Sequence, residues 1–249
     1  LSKLLQDGDY ITVKQISNTI DPISNGLLIS QLQKWIDKSE YKKIINSFSC
    51  ENKNHLLSEF FFLISNLYSA DENYKRSNFY LNISNFLNSN FYYNLSLLAE
   101  NYFIIEDYSS SKKILKVFSE KDEIYFWFKT KKNSQIIKEE KSKNKALIFL
   151  EKKFQEIDNP STKIIFDMAN FYKNYKEYEK AIILYSKLLK TIDKNSNAYA
   201  DILYRRGGSF ERLKKFEKSE NDLLLSLKFK PDDPYVMNYL AYSWLERNY

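Results

Sequence analysis

The sequence predicts an all-α fold, an α-solenoid of stacked antiparallel helix pairs, and three observations carry that prediction. An aromatic residue preceded by a polar one recurs at Tyr10, Tyr41, Tyr74, Tyr108, Tyr178 and Phe216, at intervals of 31, 33, 34, 70 and 38 residues. Small and large apolar residues fall in fixed columns around that marker. The 249 residues also contain only four Gly and four Pro. A β-sandwich or barrel needs a turn signal every 8–12 residues or so, and this chain cannot supply them.

The interval of 70 is two periods of 35, so one repeat, near Lys143, has lost its marker. Nine positions before each marker stands a mostly small residue: Ser65, Ala99, Ser134, Ala169, Gly207 and then Ala241. Three further on comes a large one: Trp35, Tyr68, Tyr102, Ile137, Tyr172, Phe210 and Trp244. After the marker the order repeats, small at Ser77, Ser111, Ala146, Ala181 and Ser219, then apolar at Phe48, Leu81, Leu115, Leu150, Tyr185 and Leu223. Two helices folded into a tight hairpin need small residues where their backbones cross and bulky ones a turn away.

Punctuation agrees with the columns. Pro22, Pro160, Pro231 and Pro234 all fall between repeats, Asp233-Pro234 reads as an N-cap followed by a helix-opening proline, and Gly8 lies in the first turn. Gly207 and Gly208 fall inside a helix, where glycine costs about 1 kcal/mol against alanine, which makes sense where a backbone must approach closely. The predicted pairs are 24–37/40–49, 54–69/73–87, 90–105/107–118, 121–138/142–157, 161–174/176–192 and 197–213/215–229. A second helix alone precedes them at 9–20 and a first helix alone follows at 234–248. On this reading 1–249 is a single solenoid, six full repeats with a partial one at each end and a degenerate stretch over 120–145. It is expected to be a segment of a longer chain.

These columns resemble the tetratricopeptide repeat, W-x2-L-G-x2-Y followed by A, F and P over about 34 residues. The best match is Leu203, Gly207, Phe210, Ser219, Leu223 and Pro231; the departure is Ser for Ala in several second-helix positions. The stretches Asn25–Trp35 and Pro234–Asn248 resemble repeats of long tetratricopeptide proteins of alphaproteobacteria. The resemblance implies a right-handed superhelix whose first (A) helices line a concave groove, and it implies a binding role more than a chemical one.

Composition excludes several classes. The single Cys50 and single His55 supply neither a disulfide framework nor a metal cluster, and no glycine-rich phosphate loop occurs. No run of about 18 apolar residues occurs, so no segment is expected to span a membrane. The chain starts at Leu1 without an initiator Met, so the missing targeting segment says nothing about compartment. A net charge of +6 invites a nucleic-acid reading, but 38 basic residues face 32 acidic ones scattered among them. The richness in Lys, Asn, Ile, Phe and Tyr reads as codon bias.

By repeat register the candidate groove residues are Phe62, Asn66, Tyr93, Glu100, Phe128, Lys131, Gln135, Phe166, Asn170 and Tyr204. Amides that pair with a peptide backbone, interleaved with rings, suit an extended or helical peptide. A chaperone-type carboxylate clamp is excluded, because its basic and amide positions fall on Asp201, Arg205 and Asp167. The expectation is a non-catalytic scaffold without cofactor or metal that binds a protein or peptide. The alternatives are a nucleic-acid-binding solenoid, or the regulatory arm of an enzyme whose catalytic domain lies elsewhere. The uncapped last helix adds an expectation of end-to-end self-association.

Overall fold

The computed structural model describes residues 1–247, so the last residue of the expected helix 234–248 lies outside the described part. The described residues form fifteen helices and no strand. The first four are α1 (Ser2–Gln6), α2 (Tyr10–Asn18), α3 (Leu27–Asp37) and α4 (Tyr41–Ser47). Then follow α5 (Lys53–Ala70), α6 (Tyr74–Leu87), α7 (Tyr93–Ile104), α8 (Tyr108–Leu115), α9 (Glu123–Glu140) and α10 (Lys143–Gln155). The rest are α11 (Thr162–Asn174), α12 (Tyr178–Leu188), α13 (Asn197–Arg212), α14 (Phe216–Phe229) and α15 (Pro234–Glu246).

Each aromatic marker is the first residue of a second (B) helix, and the polar residue before it is that helix's N-cap. Asp9, Asn73 and Asp107 accept from a backbone N–H in the first turn through their side chains. Two residues before each marker the chain turns through a positive φ, at Gly8, Ser39, Glu72, Glu106, Lys176 and Lys214. The N-cap N–H then reaches back to the bulky column of the preceding helix: Glu40 to the carbonyl of Trp35 at 2.8 Å, Asn73 to Tyr68 at 2.8 Å, Glu177 to Tyr172 at 2.9 Å and Lys215 to Phe210 at 2.9 Å. This is the Schellman closure of a helix end, reused as the hairpin turn. The repeat without a marker keeps the bond, Ser142 to Ile137 at 3.2 Å, while Lys141 stays at negative φ.

The small columns lie where the helices cross. Ser65, Ala99, Ala169, Ser77, Ser111, Ala146, Ala181 and Ser219 have no exposed surface, and neither do Leu81, Leu150, Tyr185 and Leu223 one turn on. Serine does more than fit. Ser111 Oγ donates to the Ala99 carbonyl at 2.9 Å and Ser134 Oγ to the Ala146 carbonyl at 3.2 Å, so hydroxyls bridge the crossing where alanine would only touch. At Gly207 an added Cβ would stand 3.1 Å from Leu223 Cγ and 3.2 Å from the Ser219 carbonyl oxygen.

The sequence reading treats the chain as one solenoid; the structure groups it in two compact units. One comprises Leu1–Ile20 and Gly26–Lys153, the other Asp21–Asn25 and the described residues from Phe154 onward, the division falling in the last turn of α10.

In the first unit, α5 to α8 stack regularly around Phe62, Leu81, Phe91, Leu95, Leu98, Leu115 and Phe118. Asn101, wholly buried, ties three helices together: its Nδ2 donates to Ser77 Oγ and Asn78 Oδ1, both at 2.8 Å, and its Oδ1 accepts from Ser69 at 2.8 Å. Helices α1 to α4 have a small core of their own (Leu5, Val13, Ile36 and Ile44) and do not simply prefix the stack. Instead α3 packs on α9: Gln31 Nε2 donates to Asp122 Oδ2 at 2.9 Å and Lys34 pairs with Glu123. The columns holding Phe60 and Leu67 are buried at Asn94, Ile164 and Ile202 and at Asn101 and Ser209, yet Phe60 is 55% and Leu67 68% exposed. The face of α5 that a preceding repeat would cover is therefore open, because the polar side of α3 finds its match at the acidic start of α9.

In the second unit Ala169, Ala181, Tyr185, Leu188, Ala198 and Ile202 form the core. Arg206 clamps α13 to α14 through two 2.7 Å bonds to Asp222 and to α12 through Ser186 at 2.9 Å. Helix α15 closes this unit through Val236 and Leu240. Leu240 is only 3% exposed, although the sequence reading leaves it on the open face, because it packs into the cluster with Leu223. Met237 and Trp244 of the same expected face remain 50% and 37% exposed.

Two stability outcomes follow. Gly207→Leu should destabilise the chain by about 1–3 kcal/mol in chemical denaturation, against the gain that helix propensity alone would give. Asn101→Ala should cost about 1–3 kcal/mol by leaving Ser69, Ser77 and Asn78 without their shared partner.

Candidate functional site

The A-helix residues predicted to line a groove fall seven in the first unit and three in the second. In the first unit the rings gather. Phe62 lies 5.3 Å from Tyr93, both ring centroids, and Tyr93 and Phe128 pack on the cluster that contains Phe62. That packing leaves Phe62 only 8% exposed. Asn66 spends its amide N–H on the Phe62 carbonyl at 3.0 Å, and Glu100 pairs with Lys132. Lys131 and Gln135 are half-buried on α9, and the Gln135 Oε1 is enclosed with no hydrogen-bond donor facing it. Leu27 and Leu28, which open α3, pack on the same cluster as Tyr93 and Phe128.

In the second unit Phe166 and Asn170 are drawn together by Arg205. Its guanidinium lies over the Phe166 ring at 5.1 Å, its Nη1 donates to Asn170 Oδ1 at 3.2 Å, and its Nε donates to Asp201 at 3.0 Å. The Asn170 carbonyl also accepts from the Tyr185 hydroxyl at 2.7 Å, so that oxygen already serves the fold. Tyr204 stands edge-on to Tyr239 at 6.0 Å with the Lys173 ammonium 5.9 Å from its ring. Burial, with the Arg205 charge beside it, pulls the Lys173 ammonium below its usual range. The positions that would have formed a carboxylate clamp are internally paired, Asp201 with Arg205 and Asp167 with Lys163 at 3.4 Å.

One feature escaped the sequence reading. Ile23, with no exposed surface, belongs to the buried cluster of Ile165, Phe166, Ala169 and Ile202. Its carbonyl accepts from Lys163 Nζ at 2.6 Å, across 140 residues of sequence. Asp21 preforms the segment: its Oδ1 accepts from the N–H of Ile23 and of Ser24, each at 2.8 Å. The signal available in the sequence was Asp21-Pro22, a turn initiator, leading an aliphatic residue in a stretch with no helical period. A second feature is an open cleft of about 340 Å³ in the first unit, lined by Trp35, Lys43, Asn90, Tyr92, Asp122 and Tyr125. Burial raises the Asp122 carboxyl above its usual range there.

No family profile matches the chain, and no curated protein matches it by sequence. Among solved structures it is similar to YrrB, described as a TPR protein with an unusual peptide-binding site. The identity is 16%, over 73% of this chain and 90% of that one, with a TM-score of 0.45. It is also similar to a chain of the APC/C hetero-tetramer Cut9-Hcn1 at 15% identity and TM-score 0.51. That likeness covers 99% of this chain, which spans 48% of the other's length. At such identities a likeness speaks for fold alone, and the one to the Cut9-Hcn1 chain agrees with the all-α helical-repeat solenoid that the helices form.

Proposed function

We propose that this chain is a protein-interaction scaffold that binds a partner polypeptide through the A helices of its units. The observation that carries the reading is Asp21–Asn25. A short non-helical stretch of polypeptide is already held against α11, by one buried aliphatic side chain and one backbone carbonyl. Main-chain contacts that give affinity, joined to a pocketed side chain that gives specificity, are one recurring mode of peptide recognition. The half-buried Tyr93, Phe128 and Tyr204 offer the same chemistry elsewhere on the A helices.

The A helices of either unit are poorly built to track phosphates. Lys132 and Lys163 are paired with Glu100 and Asp167, and Lys163 is further engaged by the Ile23 carbonyl.

The test is a selection of peptides from a displayed random library against the whole chain. Affinities of the selected peptides and of poly(U) would then be measured between about 50 and about 200 mM salt. Peptide affinity should change little over that range and should fall on Tyr204→Ala or Tyr93→Ala. Tight poly(U) binding that collapses with salt, is lost on Lys131→Ala and ignores Tyr204→Ala would reverse the proposal.

A further inference from the structure

We infer that the pocket on α11 is a recognition site for an aspartate-led turn carrying an aliphatic side chain two residues on, with Asp21-Pro22-Ile23 as its resident ligand. The inference rests on the scaffold reading and names the class of peptide that one part of the face takes.

Four observations support it. Phe166 belongs to a column expected to face an open groove, yet it is 5% exposed, in the cluster that Ile23 completes. The segment that fills the place is not part of the repeat: it has no helical structure, and Gly26–Lys153 on one side and Leu1–Ile20 on the other belong to a different compact unit. The contacts are those of a bound peptide, since Lys163 reads a main-chain carbonyl that any sequence offers, while the apolar cluster reads the side chain. Finally, the segment is stiffened before it binds. Pro22 fixes its own φ, and the Asp21 carboxylate holds the next two amides, so little conformational freedom is lost on docking.

The aspartate therefore acts by shaping the turn and the aliphatic residue by filling the pocket; the exposed Ser24 plays no part in the recognition. A tether of this kind supplies its ligand at an effective concentration of about millimolar. A free peptide of modest affinity then sees a site mostly filled, and its apparent affinity falls by the fraction left open.

The experiment uses the whole chain and a fluorescent peptide of residues 19–26, followed by anisotropy. The Ile23→Asp chain, its resident ligand expelled, should bind the peptide about tenfold or more tightly than the unaltered chain does. A peptide with aspartate in place of its isoleucine should not bind, and adding Lys163→Met to the Ile23→Asp chain should weaken the intact peptide's binding. Equal binding to both chains, or binding indifferent to the peptide's isoleucine, overturns the inference. Ile23→Ala is the second variant, and if neither variant folds, Ile23 is an essential core residue and the inference falls. If the peptide fails on folded variants while library-selected peptides still bind and still respond to Tyr204→Ala, the scaffold reading survives alone.

Discussion

From α5 to α14, where helix A crosses helix B, the two backbones come so close that the side chains between them are Ser, Ala or Gly. That single constraint organises the rest. It makes Gly207 tolerable in mid-helix, since a Cβ there would press on Leu223 and on the backbone of Ser219. It explains why serine replaces alanine at Ser111 and Ser134, where the hydroxyl finds a carbonyl across the crossing. It also sets the turn. Hairpins this tight reverse in two or three residues, so a positive φ recurs at Ser39, Glu72, Glu106, Lys176 and Lys214 even though none is glycine. Non-glycine residues in that conformation are costly, and a structure retains them only where the surroundings over-determine them. At Ser39, Glu72, Lys176 and Lys214 the back-bond to the bulky column does so.

A period repeated seven times is a strong signal, and the helix boundaries it predicted fall within a few residues of those observed. The markers, the small columns and the caps all express one local geometry, so each occurrence reinforces the others. What periodicity could not reveal is where a non-repeating piece goes. The pair α3 and α4 carries the column residues Trp35 and Tyr41 and reads as one more repeat. Its docking on α9 depends on Gln31 and Lys34 meeting Asp122 and Glu123, a match across about ninety residues that no spacing rule encodes. The candidate face was partly legible. Repeat register placed Phe62, Tyr93, Phe128 and Phe166 on A helices, but it could not foresee that Leu27, Leu28 and Ile23 would pack into the same clusters.

That packing changes the meaning of the aromatic residues. Rings on a repeat face that look like an empty binding surface in sequence are, in the folded chain, already in contact with polypeptide. The same physics serves both purposes: a flat ring buries apolar area at little entropic cost, and a neighbouring lysine or arginine takes a carbonyl or stacks on the ring. Lys163 does the first at Ile23, and Arg205 does the second over Phe166.

The most direct test of this account is amide hydrogen exchange at Ile23 and Ser24 in the whole chain. If Asp21–Asn25 is held on α11 as described, both amides should exchange far more slowly than those of an open loop. Lys163→Met should speed them selectively while the amides of α11 and α12 keep their protection. Exchange at open-loop rates in the unaltered chain would contradict the account, as would a Lys163→Met effect spread evenly through α11 and α12.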